Sequence, residues 1–574
     1  MCGIIGGINN SRFKYDLGLK AMNYRGPDGY KLVERDNVVL GFVRLAIRDL
    51  SDKAMQPMVN ETEDVYILFN GEIYAVDSLR EELGQEYLFK TTSDTEVILN
   101  AYLKYGENFV DIIDGMFAIV IVDFAKNKIL LYRDRVGIKP VYYWLEGNNF
   151  VFSSELKGII NTINGTYPLQ LDNTAIYDYF SYGYIPDPKT MYQGIYKLEP
   201  AHMATFDLND NSIDYRRYWE LNVNPEEGVF SENRAEEAKE IVLEAVREQM
   251  VADVKVGNFL SGGIDSSIIA LCTKELGYDI DHFSIGFHTQ IGEEVYNELP
   301  YAELLAEEFN LILHSEYFGK NDLWLLDDDL TEWFDEPYAC RSCYPAFFVS
   351  RLARNHSCKV VLTGDGGDEI FGGYYRYSEY ARISNNIKRN GISELYYYCV
   401  YPRFRKYSKR LLDDIIKYGI QVDWYGEKNK RRRLEKIGIK VPNDYDDFWY
   451  IRKYYNSELP PITRAQVVDF YTYLPCACLQ KTDRTTMINS IEGRVPFCDK
   501  KVVEFAFSLS QNERCTSDNL KGLLKTAFSD DLPHKIITKE KKGFSYPSSY
   551  DKRLESIWDY RYDLYKKYVK KYLI

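Results

Sequence analysis

The sequence predicts two folds in one chain: an α+β half of packed antiparallel sheets with helices, then an α/β half with a doubly wound parallel sheet. Three observations carry this. The chain has 574 residues, several times what one hydrophobic core needs. Up to about residue 210, short β-rich runs alternate with polar turns. From about 232 the rhythm becomes strand, glycine loop, helix, and then repeats.

In the first half, the β-rich runs are 38–42, 65–69, 117–123, 128–133, 141–145 and 149–153. Helical patterns cover 17–22, 76–83 and 94–104, the last placing Thr95, Ile98, Leu99 and Tyr102 on one side. The polar stretch 222–233 is the expected boundary, so the domains are predicted at 2–210 and 232–550. A long amphipathic helix at 232–251 leads into a strand at 256–260, a glycine turn and a helix through 268–275. Strands follow at 282–287 and 359–362, a pattern that places a ligand beyond the carboxyl ends of the strands. The segment 385–460 reads as helices added to the second domain, and 551–574 as an amphipathic Tyr/Lys/Arg-rich tail.

Composition excludes several classes. Hydrophobic types at 45% and charged types at 27% are ordinary globular chemistry. A net charge of −15 repels phosphate backbones, so no nucleic-acid partner is expected. The basic run 428–433 has acidic neighbours and reads as a solvated helix face or loop. The longest apolar run, 116–122, stops at Asp123 and predicts a buried strand rather than a membrane span. Cys2 is followed by glycines and then Asn9, Asn10, Ser11 and Arg12, which is not a signal peptide. Of ten cysteines, Cys340 with Cys343 and Cys476 with Cys478 are closely spaced, but no second pair or histidine follows at ligand spacing. Buried free thiols in a reducing, cytoplasmic compartment are the expectation.

Chemistry in the first half centres on Cys2. Removal of Met1 makes Cys2 the terminus, and its α-amine, with an ordinary pKa near 7.7–8.0, can serve as base for its own thiol. The six histidines lie at 202, 282, 288, 314, 356 and 534, so a Cys-His pair within this half is not expected. A free amino-acid substrate needs a cation for its carboxylate, which Arg44 suits, and carboxylates for its ammonium, which Glu72 and Asp94 suit. The Asn70 side chain and Gly71 amide suit an oxyanion hole. Arg25-Gly26-Pro27-Asp28-Gly29 and Asn70-Gly71-Glu72 read as turns.

In the second half, Ser261-Gly262-Gly263-Ile264-Asp265-Ser266-Ser267 follows a strand and opens a helix. Two glycines, the serines and the helix N-terminus suit phosphate, while the spacing fits neither the usual triphosphatase loop nor a dinucleotide fingerprint. A second loop, Gly364-Asp365-Gly366-Gly367-Asp368-Glu369, offers carboxylates beside that site, which fits Mg²⁺. Lys521 and Lys525, one helical turn apart, can face a departing pyrophosphate.

These strings occur together in a known order. Met1-Cys2-Gly3-Ile4, Arg25 to Gly29, Asn70 to Tyr74, Ser93 to Glu96, Gly115 to Ala118 and Arg133-Asp134-x-x-Gly137-x-Lys139-Pro140 resemble the class II glutamine amidotransferase domain, an N-terminal nucleophile (αββα) fold. The loop 261–267, Ser284 to Phe287, Asp335-Glu336-Pro337, the loop 364–374, Lys481-Thr482-Asp483-Arg484, Glu492 to Asp499, Lys521-x-x-Leu524-Lys525, Leu532-Pro533 and Lys541 to Phe544 resemble the ATP-pyrophosphatase-type domain of AMP-forming synthetases. The whole, over about 1–550, resembles glutamine-hydrolysing asparagine synthetases.

The resemblance implies Cys2 as nucleophile, Asn70 and Gly71 as oxyanion hole, and Arg44, Glu72 and Asp94 as glutamine contacts. It implies ATP and pyrophosphate contacts at Leu260, Ser261, Gly262, Gly263, Asp265, Ser266, Ser267, Ile285, Gly364 and Lys521, and Mg²⁺ at Asp265 and Asp368. Asp365 matches a catalytic acidic residue, and Lys521 one that stabilises the activated intermediate. Glutamine and aspartate are the implied substrates, with ammonia passing through a closed tunnel; a homodimer is also implied. Tyr24 stands where the family carries histidine, which predicts tuning of the glutaminase rather than its loss. Three alternatives are an amidotransferase acting on another carboxylate, such as a surface-sugar uronic acid or a peptide, an ammonia-fed synthetase with a weakened glutaminase, and a non-enzymatic binding or structural protein using these folds.

Overall fold

A computed structural model describes residues 2–8, 10–229, 233–289, 293, 296–326, 329–389, 414–422, 427–539 and 543–573. Period-two alternation builds the first domain. Ile4, Leu40 and Phe42 face inward against Leu68, Val120 and Leu131 of a second sheet, while Ile5, Val39 and Val43 face outward against helices. The two sheets are six-stranded and antiparallel. One runs Ile195–Lys197, Tyr142–Glu146, Asn149–Ser153, Cys2–Ile8, Val38–Arg44, Gly29–Arg35 in spatial order. The other runs Ile213–Arg217, His202–Asp207, Lys128–Arg133, Gly115–Asp123, Val65–Ile73, Met58–Val59. Helices Tyr15–Lys20 and Leu156–Ile163 cover the first sheet, and Val76–Leu83 with Asp94–Tyr105 the second, giving helix–sheet–sheet–helix layers.

The second domain holds a five-stranded, wholly parallel sheet in the order Ile312–Phe318, Asp281–Phe287, Val256–Phe259, Val360–Leu362, Glu492–Arg494. The chain enters at the middle strand, winds one way for two strands, then returns to the other side. The crevice between Val256–Phe259 and Val360–Leu362 is therefore the topological switch point, where doubly wound sheets place their ligands.

Local differences from the sequence expectations have physical reasons. The run 65–69 continues to Ile73, because Ala118, Phe117 and Met116 pair with Asn70, Gly71 and Glu72; that motif is strand, not turn. The first helix lies at Tyr15–Lys20, since the chain from Asn23 to Arg25 tightens into a 3₁₀ turn. The second sheet runs on to Arg217, past residue 210. The long helix is Asn233–Gln249, with Glu232 outside the described residues. The basic run lies on helix Glu427–Glu435, with Arg432 and Arg433 exposed as expected; Lys430 departs, fully buried and paired with Asp447 at 3.0 Å.

Within 385–460, helices Asp414–Val422, Glu427–Glu435 and Trp449–Tyr454 are described, while 390–413 and 423–426 lie outside the described residues, as do Met1, Lys541 and Lys542. The tail forms helix Ile557–Leu573, whose Arg561 donates to the Phe180 and Ser181 carbonyls. The core of the first domain's outer layer is continuous with that of the second: Phe180 stacks on Trp558 at 4.6 Å. No described helix is long and apolar enough to cross a membrane.

Candidate active sites

Two sites emerge, one at the edge of the antiparallel sandwich and one at the switch point. At the first, Cys2 opens its strand opposite Arg44, the last residue of the neighbouring strand. The Cys2 nitrogen donates to Asn70 Oδ1 at 2.9 Å, and Asn70 Nδ2 is buried with no hydrogen-bond partner among the described residues. A buried unmatched donor is costly and suits an oxygen that becomes charged. Cys2, Arg44, Gly71, Glu72 and Asp94 line one small cavity. Arg44 is oriented by donating to the Ser51 carbonyl at 2.7 Å and to that of Asp49. Ser93 caps the helix that opens at Asp94, accepting from the Thr95 amide at 3.2 Å. Asp94 in turn accepts from the Ile73 amide at 3.1 Å.

Burial pushes the Cys2 thiol up, opposed in part by the Leu45 amide and the Arg44 charge. Burial, and then the neighbouring Asp94 charge, push Glu72 up to about 8. Asp94 is likewise raised by burial. Two arginines flank Glu72, Arg48 at 3.3 Å and Arg494 of the second domain at 3.4 Å. Neither arginine was predicted to touch this pocket. Arg48 carries no motif, and Arg494 comes from a strand more than four hundred residues away in sequence. Tyr24 does not lie in the pocket: its hydroxyl donates to Glu155 and accepts from Lys157 at 2.7 Å.

At the second site, the loops after Val256–Phe259 and Val360–Leu362 meet over a cavity of about 730 Å³. Leu260, Ser261, Gly263, Asp265, Ser266, Ile285, Gly364, Asp365, Asp368, Lys521 and Lys525 line it. Gly262 and Ser267 do not. Gly262 has φ +68° and packs on Tyr301, so it makes the turn, while the Ser267 hydroxyl donates back to the Gly263 carbonyl at 2.7 Å. At Gly367 a Cβ would lie 2.6 Å from Asp265 Oδ1, so glycine lets the acidic loop close on the phosphate-type loop.

Lys521 Nζ stands 2.6 Å from Asp265 and 2.5 Å from Asp368, so two carboxylates converge on one centre of positive charge. Lys521 holds a left-handed backbone, φ 54°, just before helix Gly522–Ala527. Asp365 accepts from Lys481 at 2.8 Å, Thr482 at 2.6 Å and Thr363 at 2.9 Å. Burial works to raise its carboxyl, yet Lys481 and the two hydroxyls hold it below the usual range. Burial and then the Asp368 charge push its neighbour Glu369 up to about 7.

One helix touches both sites. On Gln480–Met487, Lys481 and Thr482 hold Asp365, while Asp483 and Arg484 turn the other way. Asp483 accepts from Arg25 at 2.9 and 3.1 Å, and Arg484 pairs with Glu155 at 2.8 Å. Arg25 itself donates to the Cys2 carbonyl at 3.1 Å. The strings Arg25 to Gly29 and Lys481 to Arg484 were legible as motifs, but not that they meet.

The family model described as "Asparagine synthase" matches residues 237–570, and that described as "Glutamine amidotransferase domain" matches 1–219. The chain belongs to the asparagine synthase family. "Asparagine synthetase [glutamine-hydrolyzing] 1" of Bacillus subtilis (strain 168) is 33% identical, the match covering 95% of this chain and 87% of that protein. "Putative asparagine synthetase [glutamine-hydrolyzing] 2" of Methanocaldococcus jannaschii is 36% identical over 75% of this chain and 90% of its own. Within this family's frame, the sandwich is the amidotransferase domain and the parallel sheet the synthase domain.

Proposed function

We propose that the chain is an ATP-dependent carbon–nitrogen ligase that makes asparagine from aspartate, taking nitrogen from glutamine hydrolysed at Cys2. What carries this reading is the single helix Gln480–Met487, which holds the carboxylate of the nucleotide cavity on one side and the Cys2 surroundings on the other. A hydrolase alone or a synthetase alone has no use for that bridge.

In the first site, Arg44 takes the glutamine carboxylate and Glu72 with Asp94 the ammonium. The freed Cys2 α-amine accepts the thiol proton as sulfur attacks the amide carbon. Asn70 Nδ2 and the Gly71 amide receive the developing oxyanion. As it collapses the C–N bond breaks, the α-ammonium passes its proton to the departing ammonia, and water then hydrolyses the thioester to glutamate and the free thiol. In the second site, the aspartate β-carboxylate attacks the α-phosphorus of ATP, forming the acyl-adenylate and expelling pyrophosphate. Ser261, Ser266 and the helix N-terminus at Ile264 receive the phosphates, and Lys521 neutralises the charge that leaves.

Asp265 and Asp368 form a hard, oxygen-only donor pair already converging on a cation, which fits Mg²⁺. That ion would supply further charge neutralisation on the phosphates. Ammonia then adds to the acyl carbon, the acyl carbon–oxygen bond breaks with AMP as leaving group, and Asp365, ionised beside Lys481, takes the proton released from nitrogen.

The test is purified protein with Mg-ATP, ¹⁵N-amide glutamine and aspartate, read by mass spectrometry. Labelled asparagine and AMP in equal amounts are expected. Glutamate without asparagine or AMP would overturn the aspartate assignment and direct the search to other carboxylates.

A further inference from the structure

We propose that Asp281, His314 and His356 form a binding site for a borderline transition-metal ion of the zinc class, at the amino-terminal edge of the parallel sheet. Each residue offers one ligand atom, and these atoms all lie within 4.8 Å of one another. Asp281 is the first residue of its strand, His314 sits on the adjacent strand, and His356 ends helix Cys343–Asn355. His314 Nε2 is 3.3 Å from Asp281 Oδ2, and the two imidazoles face each other with centroids 3.8 Å apart.

Ligand atoms on a tetrahedral zinc ion stand about 3.3 Å apart, given Zn–N and Zn–O bonds near 2.0–2.2 Å. The His314–Asp281 pair is already at that spacing, and the whole set lies within 4.8 Å. Phe283 packs against both rings and limits where they can turn. Two nitrogens and one carboxylate, with solvent for a fourth position, is the donor set of zinc and cobalt, and the nitrogens disfavour magnesium and calcium.

A cation already sits on this carboxylate. The Lys255 ammonium pairs with Asp281, but its side chain is 45% exposed, so it can swing into water when a metal replaces it. The site lies behind the nucleotide cavity, at the amino-terminal end of the strand: Phe283, two residues along from Asp281, lines that cavity and packs against both histidine rings. A bound ion would clamp two strands and one crossover helix on the side opposite catalysis.

The test uses the full chain without a histidine tag, freed of metal by chelator and titrated with Zn²⁺ and Co²⁺ under saturating Mg²⁺. One equivalent is expected to bind, with visible Co²⁺ bands and a thermal midpoint that rises with Zn²⁺. His314→Ala and His356→Ala should each weaken Zn²⁺ binding by at least about 100-fold, since losing an outer partner alone costs 10–100-fold. Lys255→Met should tighten binding, and this arm holds even where a histidine variant folds poorly. Cys340→Ser with Cys343→Ser should leave it unchanged. Native-like affinity in either histidine variant, no tightening in Lys255→Met, or loss of binding in the cysteine variant would each overturn the proposal.

Discussion

Residue-scale chemistry here depends on a few groups held away from their ordinary state. Glu72 is pushed up to about 8, so near pH 7 it is mostly protonated, and a substrate ammonium favours its ionised form. The KM for glutamine should therefore fall as pH rises toward 8, and Glu72→Gln should flatten that slope; a pH series on glutaminase initial rates checks it. Cys2→Ala should reduce glutamine-dependent asparagine formation to background while ammonia-dependent formation persists. Lys521→Ala leaves Asp265 and Asp368 facing each other without the ammonium between them. AMP formation should fall by at least about 10²-fold, the scale of losing one aimed electrostatic group, with glutaminase turnover retained.

At the scale of elements, helix Gln480–Met487 couples two chemistries through four consecutive side chains. Asp483→Ala strips Arg25 of one of its two buried carboxylates and leaves Glu155 at 2.7 Å, so the loss should stay below the about 3–5 kcal/mol typical of an unpaired buried charge. Urea unfolding should report that loss, and the ratio of asparagine to glutamate formed should drop as Arg25 releases its hold near Cys2. Legibility in the sequence follows the same division. Strands with period-two alternation and the helix capped by Ser93 were readable because their signals are local. The run through Asn70, Gly71 and Glu72 was misread as a turn, because its strand character depends on pairing with residues 116–118. Lys430 was misread as solvated for the same reason: Asp447 and Ser181, which bury it, are far away in sequence. Site residues that belong to strings, such as Cys2, Asp265 and Lys521, were legible. Arg48 against Glu72 was not, because it belongs to no string and is placed only by the fold.

For the whole molecule, the apolar interior crosses the domain boundary. Ile176, Phe180 and Tyr182 from the first domain share a core with Tyr450, Trp558 and Tyr565 from the second. Thermal unfolding of the full chain should accordingly show one cooperative transition rather than two separated steps, measurable by calorimetry. Adding Mg-ATP at 100 times its Kd should stabilise the native state by about 2.7 kcal/mol, and the same single transition should move as a unit.

The shared interior also limits how such a protein can be rearranged. Helix Asn173–Tyr182 is seated against Lys430, Asp447 and Arg561, and the Arg25 carboxylate partners come from both sides of the boundary. A glutaminase half transplanted onto another synthase would carry unmatched buried charges and an uncovered aromatic face. New acceptor chemistry on this scaffold is therefore expected to arise by changes within the nucleotide cavity, not by exchange of interchangeable modules.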